Sequence, residues 1–172
     1  MALLEIKKYP DKILKEKTAF IDSFDSDLQQ LVDNMIETMY ASRGIGLAAN
    51  QVGISKRLCV IDTSVREEKM PLIVLINPVI IEKEGKEEAE EGCLSLPGYL
   101  PTIKRSAKVI VKALDREGKL LKIEATGLLA RVFQHEIDHL DGILIIDRIS
   151  PIKREFFKKR YKKSLKTATI SK

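Results

Sequence analysis

The chain has 172 residues, 44% of them hydrophobic, which suits one domain with a sizeable core. Its two cysteines, Cys59 and Cys93, exclude a disulfide framework, and no uncharged apolar run approaches the ~18 residues of a membrane span. The net charge of +5 hides an asymmetry: residues 151–172 carry nine Lys/Arg against one Glu, or +8, while 21 basic and 24 acidic residues leave the body at −3. Any affinity for a polyanion therefore belongs to the tail. The opening segment already carries Glu5, Lys7 and Lys8, so no apolar signal core is expected, and a cytoplasmic location follows.

Asp25 to Ala41 predicts a helix, with Leu28, Leu31, Val32, Met35, Ile36 and Met39 on one face and Asp25 to Asp27 at its start. A small-residue segment follows, Gly44-Ile45-Gly46-Leu47-Ala48-Ala49-Asn50-Gln51-Val52-Gly53, with no clear period. Leu58 to Asp62 and Leu72 to Ile81 predict strands, the second interrupted by Asn77-Pro78, which suggests an edge or a bulge. Glu82 to Glu91 reads as a solvated charged connector around Gly85. Lys108 to Leu114 and Lys119 to Ala125 predict a hairpin through Asp115-Arg116-Glu117-Gly118.

Thr126 to Asp141 predicts a second helix, capped by Thr126 and stopped by Gly142. Leu128, Leu129, Val132, Phe133, Ile137 and Leu140 cover most of its circumference, which places it centrally, while Arg131, Gln134, Asp138 and Asp141 form a polar stripe. Ser150-Pro151 then opens an amphipathic helix with Ile152, Phe156, Phe157, Tyr161 and Leu165 as its docking stripe. The expected fold is α+β: mixed or antiparallel sheets packed around the central helix, with a C-terminal amphipathic helix. The whole is read as a single domain, residues 1–150 carrying the catalytic body and 151–172 a basic tail of the same domain.

Both histidines of the chain fall in His135-Glu136-Ile137-Asp138-His139. On a helix this HExxH spacing puts His135 and His139 on one face, able to grip one metal ion, with Glu136 as a candidate general base. A third ligand from downstream is lacking, since no further His follows and the only Glu is Glu155 in the basic tail. The search therefore turns upstream. Cys59, in Leu58-Cys59-Val60-Ile61, reads as a small buried hydrophobe. Cys93 differs, lying after Gly92 in a loop closed by Pro97-Gly98, where backbone can approach a ligand. A Cys/His₂ set leaves a fourth position open, as catalytic sites do.

Three segments occur in order: Gly44-Ile45-Gly46-Leu47-Ala48-Ala49-Asn50-Gln51, Glu91-Gly92-Cys93-Leu94-Ser95 and Gln134-His135-Glu136-Ile137-Asp138-His139. Each resembles one of the three signature motifs of the peptide deformylases, and Tyr9-Pro10-Asp11 and the chain length are similar too. The resemblance implies a metal-dependent amide hydrolase that removes the formyl group from N-terminal formyl-methionine of nascent polypeptides. It implies Cys93, His135 and His139 as ligands of one divalent metal, Fe(2+) in the cell with Zn(2+), Ni(2+) or Co(2+) able to substitute. Glu136 would move the proton, and Gln51 and the Leu94 N–H would stabilise the oxyanion. Gly44, Ile45, Gly46, Glu91, Gly92, Leu128 and Val132 would bind the substrate, with Ile45, Gly46 and Gly92 pairing with its backbone by β-augmentation.

Some readings stay open at this point. Arg131 lies either at the pocket mouth or on the plain polar stripe, and Tyr99 and Leu100 receive no role. The basic tail either contacts the ribosome through RNA phosphates, as the resemblance suggests, or is a solvated face. Two rival functions are a zinc endopeptidase, disfavoured by the absent downstream ligand, and a non-catalytic metal-stabilised RNA-binding module, in which Gln51 has no purpose.

Overall fold

The computed structural model describes residues 2–66 and 71–170, the last seven by backbone alone. Strand β2 (Leu58–Ile61) is buried at all four positions. Side chains alternate along a strand, so Leu58 and Val60 turn to one side and Cys59 and Ile61 to the other. The first pair meets Leu28, Val32, Met35 and Met39 of helix α1 (Ser26–Ala41). The second meets Leu129, Ala130, Phe133 and Ile137 of helix α2 (Gly127–Leu140). A sheet covered on both faces results, and the burial of Cys59 agrees with its reading as a small hydrophobe.

This sheet is antiparallel, in the order β1 (Gly46–Ala48), β2, β3 (Ile73–Glu84), β6 (Lys108–Leu114), β7 (Leu120–Thr126). A separate two-stranded sheet pairs β4 (Glu87–Glu90) with β5 (Thr102–Arg105). The α+β class expected from the sequence is the one observed. Asn77-Pro78 does mark a bulge, between Ile76 and Val79, but β3 lies in the centre of the sheet and not at its edge. Asn77 takes φ 54°, and its side-chain amide accepts the Ile21 N–H and donates to the Ile21 carbonyl, each at 2.8 Å. At the break itself the Asn77 N–H donates to the Arg57 carbonyl at 2.8 Å, and the Pro78 carbonyl accepts from the Arg57 guanidinium at 2.9 and 3.2 Å.

The solvated connector expected over Glu82 to Glu91 is largely strand. β3 runs on to Glu84, β4 is exposed at every position, and backbone pairing holds it to β5 with only an exposed Glu88–Lys104 ion pair added. Glu91 is buried, for reasons given below.

α1 begins at Asp25, whose carboxylate accepts the Leu28 N–H at 2.9 Å. It ends with Arg43 in the left-handed region at φ 58°, the Gly44 N–H donating to Met39 O and the Arg43 N–H to Tyr40 O. This Schellman-type end turns the chain directly into β1. α2 starts after Thr126, although the Thr126 side chain makes no capping bond. Gly142, at φ 75°, ends it, and a Cβ there would lie 2.5 Å from the Lys15 carbonyl oxygen. Phe133 on α2 is fully buried between helix and sheet. Phe133→Ala is expected to lower stability by about 3–5 kcal/mol, read from urea unfolding.

The tail forms helix α3 (Pro151–Ile170). Only part of the expected docking stripe is covered: Phe157 is buried and Tyr161 half-buried, whereas Ile152 and Phe156 are exposed. The Leu165 side chain lies outside the described residues. Phe157 and Tyr161, one turn apart, share the inward face, and Ile152 and Phe156 share the neighbouring outward one. The Phe157 ring sits 4.5 Å from Tyr99 and 5.7 Å from Tyr9, centroid to centroid, and the Tyr161 hydroxyl donates to the Tyr9 carbonyl. Tyr99 therefore serves packing.

Candidate active site

α2 carries His135 and His139 one turn apart, with rings 4.8 Å apart. Their Nε2 atoms face each other at 3.1 Å, and the Cys93 Sγ lies 3.3 Å from that of His139. The three donor atoms all fall within 4.8 Å of one another. A tetrahedral ion with bonds of about 2.0–2.3 Å spaces its donors about 3.3–3.6 Å apart, so this set fits one. Two imidazole nitrogens so close cannot both point bare lone pairs at each other without a cation between them.

Glu91 decides which nitrogen of His135 is available. Its Oε1 lies 2.8 Å from His135 Nδ1, and both carboxylate oxygens are held by Arg105, at 2.9 and 3.0 Å. Arg131 adds a third partner at 2.6 Å. Burial opposes ionisation of Glu91, but the hydrogen bonds from His135 and Arg105 outweigh it and bring its pKa down to about 2. With His135 Nδ1 turned to ionised Glu91, its Nε2 faces Cys93 and His139. Burial, with the facing His135 second, pushes His139 well below the usual imidazole range, so it stays neutral as a ligand must.

Glu136 is 4% exposed, and its Oε2 has no hydrogen-bond partner among the described residues. Burial pushes its carboxyl up to about 7. Glycine at 46 makes room for it, since a Cβ there would stand 2.6 Å from Glu136 Oε1. Gln51 sits in the short 3₁₀ turn Ala49–Val52. Its Oε1 accepts the Ala48 N–H at 2.9 Å, so Nε2 must turn to Ser95 Oγ, at 3.1 Å, and Cys93 Sγ, at 3.7 Å. The amide N–H₂ is thereby fixed beside the thiol.

A cavity of about 190 Å³ opens next to this cluster. Cys93, Gln51, His135, Glu136 and Leu94 line it, together with Gly44, Ile45, Gly46, Glu91, Gly92, Leu128 and Val132. The structure thus brings together every site residue expected from the sequence, His139 lying behind the lining. Leu100 does not line it and is largely exposed.

The polar stripe of α2 needs correcting. Arg131, Gln134 and Asp138 are buried, because Arg105, Ser106 and Arg148 cover them. Arg131 is neither a plain surface charge nor only a rim residue: it lines the cavity and anchors Glu91. Asp138 accepts from both Arg105, at 2.5 Å, and Arg148, at 2.7 and 3.0 Å. Reading the sequence missed Arg105, although Ile103 and Arg105 alternate on the inward face of β5 and a guanidinium there needs a carboxylate. It also missed Arg43 and Arg66 at the cavity, for which no pattern gave a signal.

A cysteine sulfur and two imidazole nitrogens that could hold one metal ion, with a buried carboxylate beside them, are a donor set suited to a metal-dependent hydrolase. Residues 3–155 match the family model of polypeptide deformylase. The chain is 65% identical to the peptide deformylase of Thermodesulfovibrio yellowstonii over 94% of this chain and 98% of that one. It is 53% identical to that of Syntrophobacter fumaroxidans, over 98% and 99%. The crystal structure of a peptide deformylase from Legionella pneumophila superposes with a TM-score of 0.88 at 45% identity, covering 97% of this chain and 98% of that one. The structure from Synechococcus elongatus in complex with actinonin gives 0.83 at 41% identity, over 88% and 83%. The chain belongs to the polypeptide deformylase family.

Proposed function

We propose that the cavity beside Cys93, His135 and Glu136 is where this deformylase hydrolyses the formyl amide of N-terminal formyl-methionine on nascent polypeptides, releasing formate. The observation that carries this assignment is the convergence of the three donor atoms beside that cavity, with the Gln51 amide and a Glu136 oxygen that has no partner among the described residues next to them. Cys93, His135 and His139 would hold the ion, which would supply Lewis acidity and make water a stronger nucleophile at neutral pH. Glu136 takes the proton of the attacking water and passes it to the leaving amine. The Gln51 Nε2–H and the Leu94 N–H donate to the developing oxyanion.

The methionine side chain occupies the cavity between Ile45, Leu128 and Val132, and the peptide backbone extends along Ile45, Gly46 and Gly92. β1 is an edge strand of the five-stranded sheet, which supports pairing with an added strand. Fe(2+) is the ion we assign in the cell, with Zn(2+), Ni(2+) or Co(2+) as substitutes; a mixed thiolate and imidazole set accommodates all four. No helix among the described residues is long and apolar enough to cross a membrane. We place the enzyme in the cytoplasm, with residues 151–172 as part of the same domain as 1–150. The basic tail contacts the ribosome on this reading, supported by the nine Lys/Arg of residues 151–172.

Formate release from a formyl-Met peptide by anaerobically prepared protein tests the assignment. Wild type is expected to release formate, whereas Cys93→Ala should bind substoichiometric metal and release none above background. Equal formate from both proteins would refute it.

A further inference from the structure

We propose that a second cavity, on a neighbouring face of α2, binds a phosphate-bearing anion. It measures about 450 Å³ and shares no lining residue with the cavity at Cys93. Lys83 from the end of β3, Lys86, Lys104 and Arg105 of β5, and Arg148 supply five cations to its wall, against two carboxylates, Asp138 and Asp147.

Neither carboxylate is free to neutralise the lysines. Asp138 is held by Arg105 and Arg148, and Asp147 accepts the Leu144 N–H at 2.9 Å and the Lys15 ammonium. Lys83 and Lys86 are exposed and make no side-chain hydrogen bond or ion pair among the described residues. Lys104 meets only Glu88, at 3.7 Å and with both side chains mostly exposed, a pairing of little worth.

The buried network beneath points the same way. Arg105, Arg131 and Arg148 set three guanidiniums against the two carboxylates Glu91 and Asp138. Arg148 spends its Nε and Nη2 on Asp138, and its side chain is 41% exposed at the cavity. A fixed guanidinium edge beside mobile ammoniums suits a group with several anionic oxygens. A phosphate with more than one charge answers the excess better than a carboxylate. The group could come from a nucleotide or from an RNA backbone.

The test is titration of the intact isotope-labelled protein with tripolyphosphate, followed by amide NMR shifts. The Ser106 amide, whose N–H donates to Gln134 Oε1 at 2.9 Å in the cavity wall, is expected to shift saturably, with affinity falling as salt rises. Lys83→Ala combined with Lys86→Ala should weaken binding about tenfold or more and leave deformylase turnover unchanged. Parallel titrations with a nucleoside triphosphate and a short RNA identify the source, the tighter binder at these residues being the physiological class. Unmoved Ser106, or binding abolished by Lys159→Glu with Lys162→Glu but not by the cavity variant, would overturn the proposal and assign the anion to α3.

Discussion

Glu136→Ala is expected to lower turnover by about 10²–10⁴-fold while the protein keeps its full metal content. The direction follows from the placement of the carboxylate. It is buried, one oxygen has no partner among the described residues, and Gly46 admits it to the cavity wall. Among the described residues it makes no hydrogen bond or ion pair that would hold the fold, so the loss should be confined to the chemical step. Glu136→Gln, which keeps the volume but cannot accept the proton, should lose nearly as much. Metal analysis, circular dichroism and formate release on the same sample separate the outcomes. Near-normal turnover in a metal-replete variant would remove Glu136 from the mechanism.

Glu91→Ala should lower stability and metal affinity together. The substitution strips buried Arg105 and Arg131 of a shared carboxylate and frees His135 Nδ1. Breaking such a pair from one side typically costs about 3–5 kcal/mol, because the remaining charges stay buried. Loss of the partner that orients a ligand histidine should also weaken metal affinity by about 10–100-fold. Urea unfolding and competition with a chromogenic chelator measure the two effects separately. The acid limb offers a further check. The Glu91 pKa is about 2 in the folded protein against an ordinary 4.5, so its contribution is complete above pH 4.5 and is lost as pH falls toward 2. The variant should show a flatter stability profile across that window. Unchanged metal affinity would mean that His135 is oriented by packing alone.

The central helix was legible because its period and its HExxH spacing agree, and Gly142 ends it where predicted. The strands β2, β6 and β7 were legible from β-branched residues and a turn. β4 was hidden, since Glu87–Glu90 carries no alternation and is held by backbone pairing. The polar stripe of α2 was misread for a related reason. Arg131, Gln134 and Asp138 resemble a solvent face until Arg105 and Arg148, distant in sequence, fold over them. Periodicity reports which face of a helix differs from the rest, and only tertiary partners decide whether that face is wet. For the candidate site, spacing pointed to His135 and His139 and the three motifs to Cys93, Gln51 and Leu94, which the structure places beside one cavity. Glu91 stood in the second motif as a pocket residue, but its bridging of Arg105, Arg131 and His135 had no local signature.

The aromatic contact between Tyr9, Tyr99 and Phe157 has a consequence for the timing of synthesis. Phe157 belongs to the same apolar cluster as Leu14, Leu96 and Ile103, against which Cys93 itself packs. Tyr161 reaches back across 152 positions to the carbonyl of Tyr9. A chain made from its N-terminus can assemble α1, the sheet and α2 before α3 exists. The wall behind the Cys93 loop is completed only when Phe157 and Tyr161 have been made and can fold back against Tyr9 and Tyr99.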